Sequence, residues 1–192
     1  MRVLGIYGSP RKGGNTDILL DTVLEAAAGA GAETDAIYAR KLRISGCVEC
    51  NKCDETGQCV IDDAMQDIYP RLSAADAIVM SAPIFFYNVP GQLKLLIDRV
   101  QPMWARRVLE GKTPGQGHSS GQGYLIAVGA TRGKNLFEGT ELTAKYFYDA
   151  LDMEYKGGLF YRKVETKGEI REHPDALREA GELGRRIVQG KK

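Results

Sequence analysis

Short apolar runs alternate along this chain with longer stretches in which apolar residues recur every three or four positions. Val3 to Tyr7 reads as a brief buried strand that ends at Gly8. From Thr16 the period changes: Ile18, Val23, Leu24 and Ala27 line one helical face, and Gly29 and Gly31 end it. Ala36 to Ile44 supply a second strand, and Asp62 or Asp63 caps a helix carrying Met65, Ile68 and Leu72. Ala77 to Ala82 (AIVMSA) is the clearest buried strand, stopped by Pro83. A helix then runs from about Gly91 through Leu93, Leu96, Ile97 and Val100. Residues 111–123 (GKTPGQGHSSGQG) are too rich in Gly, Ser and Pro for regular structure and are expected to form a mobile surface loop. Tyr124 to Val128 makes a fourth strand, Leu136 to Leu151 a helix, and Gly158 to Tyr161 a fifth strand. Pro174 opens a last helix with Leu177, Ala180, Gly184, Ile187 and Val188 on one side.

Five strand–helix alternations predict an α/β fold, an open, doubly wound, five-stranded parallel sheet with helices on both faces. The strand order expected is 2-1-3-4-5. Ligands of such sheets bind beyond the carboxyl ends of the strands, so the loops after strands one, three and four are where chemistry is expected.

The 192 residues fit one domain, taken as 1–192, with 43% hydrophobic and 27% charged residues. A net charge of +1 argues against nucleic acid or an anionic membrane as the main partner. No apolar run approaches the ~18 residues of a membrane span. The opening MRVLGIYGSP enters a strand without the layout of a signal peptide. A cytoplasmic protein is expected, in which clustered thiols serve metal or redox roles.

All four cysteines fall within thirteen residues, Cys47, Cys50, Cys53 and Cys59, spaced C-x2-C-x2-C-x5-C in a loop at 46–60. An iron–sulfur cluster uses four such thiolates. Structural zinc more often takes two separated C-x-x-C knuckles, and a C-x-x-C pair can also work as a dithiol without metal. The spacing leans toward iron–sulfur and leaves the other two open.

Gly8-Ser9-Pro10-Arg11-Lys12-Gly13-Gly14-Asn15-Thr16 joins the first strand to the first helix. It lacks the lysine and hydroxyl of a P-loop and the second glycine of the dinucleotide fingerprint. What remains is hydroxyls at Ser9 and Thr16, an amide at Asn15, a cation at Arg11 and free N–H groups at a helix N-terminus. That set suits one terminal phosphate with no metal. After the third strand, Pro83-Ile84-Phe85-Phe86-Tyr87-Asn88-Val89-Pro90 carries three adjacent aromatics between prolines. Beside a phosphate site this offers stacking surface for a flat heterocycle, although Phe85 and Phe86 could simply cover the sheet end. The loop Gly129-Ala130-Thr131-Arg132-Gly133-Lys134 could add backbone donors.

Taken together, GSPRKGGNT, the cysteine spacing, SAPIFFYNVPGQLKLLIDR and the later G-A-T-R-G-K resemble the iron–sulfur flavoproteins, a branch of the flavodoxin-like NAD(P)H-dependent FMN reductases. The resemblance covers nearly the whole chain. It implies non-covalent FMN, a [4Fe-4S] cluster on Cys47, Cys50, Cys53 and Cys59, and a homodimer or homotetramer. Ser9, Arg11, Gly13, Gly14, Asn15 and Thr16 would take the phosphate. Pro83, Ile84, Phe85, Phe86, Tyr87, Asn88 and Val89 would border the ring, and Gly129, Thr131, Arg132 and Gly133 its pyrimidine side.

No acid–base dyad or nucleophile stands out, as expected where cofactors carry the chemistry. His118 and His173 read as surface residues, and Trp104 either shields a flavin or packs in the core. The function expected is an FMN-dependent oxidoreductase passing electrons between NAD(P)H or a ferredoxin, FMN and the cluster. One alternative is an NAD(P)H-dependent FMN or quinone reductase without a cluster. The other is an electron carrier or thiol redox sensor with no substrate of its own.

Overall fold

A computed structural model of the chain describes residues 1–112 and 121–190. In chain order the elements are β1 (Arg2–Tyr7), α1 (Asn15–Gly29), β2 (Glu33–Tyr38), α2 (Lys52–Thr56), α3 (Met65–Ala74), β3 (Ala77–Pro83), α4 (Gly91–Asp98), α5 (Gln101–Leu109), β4 (Gly121–Gly129), α6 (Glu138–Ala150), β5 (Met153–Arg162) and α7 (Ala176–Gln189). The strands pair in parallel in the order β2-β1-β3-β4-β5, the doubly wound arrangement that the alternation predicts. Strand β3 lies centrally and is apolar almost throughout, because helices cover both faces of a parallel sheet.

Two separate cores follow from the pleat. Leu4, Ile6, Ile78 and Met80 pack with Met65, Ile68, Leu93, Leu96, Phe147 and Tyr148 of α3, α4 and α6. Val3, Val79 and Ile126 face the other way, onto Leu19, Leu20, Val23, Leu183 and Ile187 of α1 and α7. At the β4–β5 edge the register shifts between Gly123 and Leu125. Gly158 sits there with the Leu125 carbonyl where a side chain would begin, so only glycine fits. Among the described residues no helix is long and apolar enough to cross a membrane.

Several boundaries differ from the periodicity. The second strand is Glu33–Tyr38 rather than 36–44, since the chain turns into a 3-10 segment at Ala39–Lys41. The helix expected from Gly91 to Val100 breaks at Arg99 and restarts as α5, with Pro102 in its first turn. Gly121–Gly123 belong to β4 and are paired with Met153–Tyr155, which also lengthens the fifth strand beyond 158–161. The rest of the loop at 113–120, His118 included, lies outside the described residues. The last helix starts at Ala176, two residues after Pro174.

Candidate functional site

The loops after β1, β3 and β4 meet at the carboxyl end of the sheet around a cavity of about 200 Å³. Its walls are Ser9 to Arg11 and Gly14 to Thr16 of the first loop, then Pro83, Ile84 and Phe85, then Val128 and Ala130, closed by Val164 and Glu165. Helix α1 opens at Gly14 without a side-chain cap. The first helical N–H groups, those of Asn15, Thr16 and Asp17, therefore have no partner within the helix. Thr16, 2% exposed, lines this cavity, and its Oγ1 is buried with no hydrogen-bond partner. A buried hydroxyl without a partner, beside the first N–H groups of a helix, has the donors that an anion would use.

The other loop side chains do different work. Ser9 Oγ accepts the Arg11 N–H at 3.1 Å and donates to the Arg11 carbonyl at 3.2 Å, shaping the turn. Gly13 holds φ at 65°, and its N–H donates to Asp17 Oδ2 at 2.9 Å. The Asn15 amide is committed to the backbone: it donates to the Thr166 carbonyl and accepts the N–H groups of Gly168 and Ile170. Beneath the loop, Arg40 pairs with Asp17 at 3.0 Å and donates to the Ser9 carbonyl at 3.2 Å. Burial pushes the Asp17 carboxyl up, against the opposing pull of the Gly13 N–H and the Arg40 guanidinium. Asp17 and Arg40 escaped the sequence reading; nothing at positions 17 and 40 shows that a tertiary contact joins them.

The aromatic loop is a tight hairpin. Phe85 and Asn88 exchange both backbone hydrogen bonds, at 2.8 and 3.0 Å. Phe86 and Tyr87 between them both take positive φ, 48° and 62°. Such a turn calls for Asn-Gly, and bulky aromatics there store strain of the kind that collects at functional sites. Phe86 is fully exposed, so it does not cover the sheet end. Replacing the pair with Asn and Gly is expected to raise the denaturation midpoint by an amount worth about 1–3 kcal/mol. An unchanged or lower midpoint would mean that the turn is relaxed as it stands.

Asn88 ties this hairpin to α6 by accepting the Thr143 hydroxyl at 3.1 Å. Tyr87 lies against Gly133, whose missing side chain leaves room for the phenol. Arg162 donates to the carbonyls of Arg132, Gly133 and Lys134 and sits 5.0 Å over the Phe137 ring, fixing the loop after β4. Of the expected residues, Ser9, Arg11, Gly14, Asn15, Thr16, Pro83, Ile84 and Phe85 line the cavity. Gly13, Phe86, Tyr87, Asn88, Val89, Thr131, Arg132 and Gly133 lie in the same three loops, and Gly129 at the end of β4, all outside its wall. Trp104 is half-buried in α5 beside Gln101 and Tyr146, away from this cavity, and His173 packs edge-on against Tyr161.

The cysteine loop forms a second pocket, of about 400 Å³. Cys47, Cys50, Cys53 and Cys59 all line it, with Asp98, Arg99, Gln101 and Pro102 as its floor. All four are free thiols. Burial raises the Cys53 thiol, reinforced by Asp54 and opposed by a backbone hydrogen bond, with Cys47 and Cys50 nearby adding to the rise. Among the described residues no three His, Cys, Asp or Glu side chains converge closely enough to hold a metal ion. As a donor set, four thiols lining one pocket fit a thiolate-bound centre, and the loop would have to draw together to close around it. Asp63 rather than Asp62 caps α3, accepting the Met65 N–H at 3.0 Å.

Comparison with known proteins follows the same lines. Residues 1–136 match the family of NADPH-dependent FMN reductases. An iron–sulfur flavoprotein of Methanocaldococcus jannaschii is 38% identical over 132 residues, 69% of this chain and 64% of that protein. One of Methanosarcina thermophila is 42% identical over 99 residues, 52% of each chain. The chain thus spans roughly half to two thirds of the length of these relatives. In fold, it superposes on an NAD(P)H:quinone oxidoreductase of Methanothermobacter marburgensis with a TM-score of 0.69 at 16% identity, covering 97% of this chain and 96% of that one. A match over residues 1–136, which carry the first loop, the cysteine loop and the aromatic loop, places this chain in the NADPH-dependent FMN reductase family.

Proposed function

We propose that the chain is an FMN-dependent oxidoreductase that takes electrons from NAD(P)H or a reduced ferredoxin and relays them through a cluster on its cysteine loop. The observation that carries this reading is the buried, unpartnered Thr16 hydroxyl at the uncapped start of α1, facing a cavity at the carboxyl ends of β1, β3 and β4. A terminal phosphate satisfies that hydroxyl together with the N–H groups of Asn15, Thr16 and Asp17, and Arg11 supplies charge at the mouth. The enclosed volume of about 200 Å³ matches a phosphate and the start of its chain better than a whole flavin. The ring then belongs on the open side, against Phe85, Phe86 and Tyr87. With the Arg132, Gly133 and Lys134 carbonyls committed to Arg162, that loop's N–H groups are what it offers a pyrimidine edge.

A bound flavin would supply hydride acceptance and single-electron release. Cys47, Cys50, Cys53 and Cys59 would hold the cluster, whose contribution is transfer of one electron at a time. Pro83, Ile84 and Val128 keep water from the inner wall, and Asp17 with Arg40 keeps the anion loop in shape. Assembly as a dimer or tetramer, by resemblance to the family, completes the reading, with a cytoplasmic setting in which clustered thiols stay reduced. The exposed thiols of Cys47 and Cys50, spaced C-x-x-C, favour a second reading, a flavin-dependent reductase of small acceptors such as quinones whose cysteines stay thiols.

Anaerobic purification tests both. FMN titrated into ligand-free chain should lose its fluorescence at an equimolar end point, with micromolar or tighter affinity. Iron and acid-labile sulfide should copurify, and NADPH or reduced ferredoxin should bleach the flavin. A folded chain that leaves FMN fluorescence unchanged would sink the flavin reading; bound FMN without iron would select the second one.

A further inference from the structure

We propose that Arg99 is the positioning residue of the cysteine pocket, holding both ends of the loop in register for a thiolate-bound centre and opposing that centre's negative charge. The inference rests on the cluster reading above and adds to it a residue outside the cysteine motif. Arg99 stands at the break between α4 and α5 and is only 1% exposed. One terminal nitrogen donates to the Ser45 carbonyl at 3.0 Å and to Asp63 Oδ2 at 2.7 Å. The other reaches Asp63 Oδ1 at 3.1 Å and the Ile61 carbonyl at 3.5 Å. Ser45 precedes Cys47, and Ile61 and Asp63 follow Cys59, so a single guanidinium gathers the chain where it enters and leaves the loop.

The Ser45 N–H also donates to Asp63 Oδ2, at 3.1 Å, which closes the neck. Tyr69 donates to the Arg99 carbonyl at 2.8 Å and fixes the backbone from α3. The Arg99 Nε remains buried without a partner, on a residue that lines the same pocket as all four cysteines. A planar fork with fixed donors suits this work; a lysine cannot span three acceptor groups in the same way.

Hydrogen bonds and charges around thiolates set the potential of the centre they hold, and a nearby buried cation favours its more negative, reduced state. Removing the Arg99 charge, and thereby exposing the centre to an unpaired Asp63, should lower the potential. Neutralising Asp63 alone should raise it. A purely structural prop predicts no such opposition in sign.

The experiment compares the unaltered chain with Arg99→Met, Arg99→Lys and Asp63→Asn after anaerobic reconstitution with ferrous iron and sulfide. Iron and sulfide per chain, the rate of iron loss to a chelator and the potential from an EPR-monitored redox titration are read, with FMN content as the check on folding. Arg99→Met is expected to retain iron about 10–100-fold less well than the unaltered chain while keeping its FMN. Arg99→Lys should fall between the two. Asp63→Asn should hold a centre of higher potential, and any centre left in Arg99→Met one of lower potential. Equal iron retention and potential in Arg99→Met overturns the role of Arg99, as does an unchanged or lowered potential in Asp63→Asn, a result that stands even if Arg99→Met fails to fold. An unaltered chain that takes up no iron overturns the cluster reading first, and this inference with it.

Discussion

Replacing Arg40 by Met is expected to lower the stability of the ligand-free chain by about 3–5 kcal/mol, because it strands the Asp17 carboxylate in the interior. The pair is closely matched at 3.0 Å, and both side chains are largely buried. Asp17 is already held above the ordinary carboxylate value, burial being the main cause. The folded chain therefore binds that proton more tightly than the unfolded chain, and stability falls as pH rises from the ordinary value through the raised one. Without Arg40 the folded value moves higher still. The deficit of the variant should accordingly be small in acid and grow toward neutrality, before levelling above the new value. Thermal melts of both proteins across that range read it directly, and a deficit independent of pH would contradict the account. Because Arg40 also holds the Ser9 carbonyl, FMN affinity should drop in the same variant.

A second substitution separates binding from folding more cleanly. Thr16→Val keeps the shape of the side chain and deletes the orphan hydroxyl. A hydrogen bond to a charged phosphate is worth about 1.5–3 kcal/mol, so FMN should bind roughly 10–100-fold more weakly. The ligand-free chain should lose nothing, and could gain about 1 kcal/mol, since an unsatisfied buried oxygen has been removed. Opposite signs for affinity and stability are what an anion site predicts. Equal affinity in Thr16→Val would show that the hydroxyl serves no ligand. Equal losses of both would show that it serves the fold.

The sheet could be read from the chain because parallel strands covered on both faces appear as unbroken apolar runs, AIVMSA above all. Strand ends were harder to read. Lys41 to Ile44 alternates like a strand, yet the chain leaves the sheet after Tyr38 to carry the cysteine loop. Helix α5 was hidden because WARRVL buries Arg107 while leaving Val108 and Leu109 in solvent, which inverts the usual stripe. At the site, Thr16 and the aromatic loop were legible through local rules, helix starts and misplaced aromatics. Asn15 shows the limit of those rules: its amide is committed to backbone at Thr166, Gly168 and Ile170, a contact that only the tertiary fold creates. The Asp17–Arg40 pair and Arg99 were illegible for the same reason, each joining segments distant along the chain.

Ser45 and Asp63 bond to each other across the neck of the cysteine loop, and no residue between them belongs to a strand of the sheet. That makes the segment a cassette. A short graft between those two residues would leave a plain flavin scaffold, and a different thiol pattern inserted there would leave the sheet untouched. Redox capacity could thus be gained or lost over evolution by exchanging one excursion of the chain, with no strand of the sheet rebuilt.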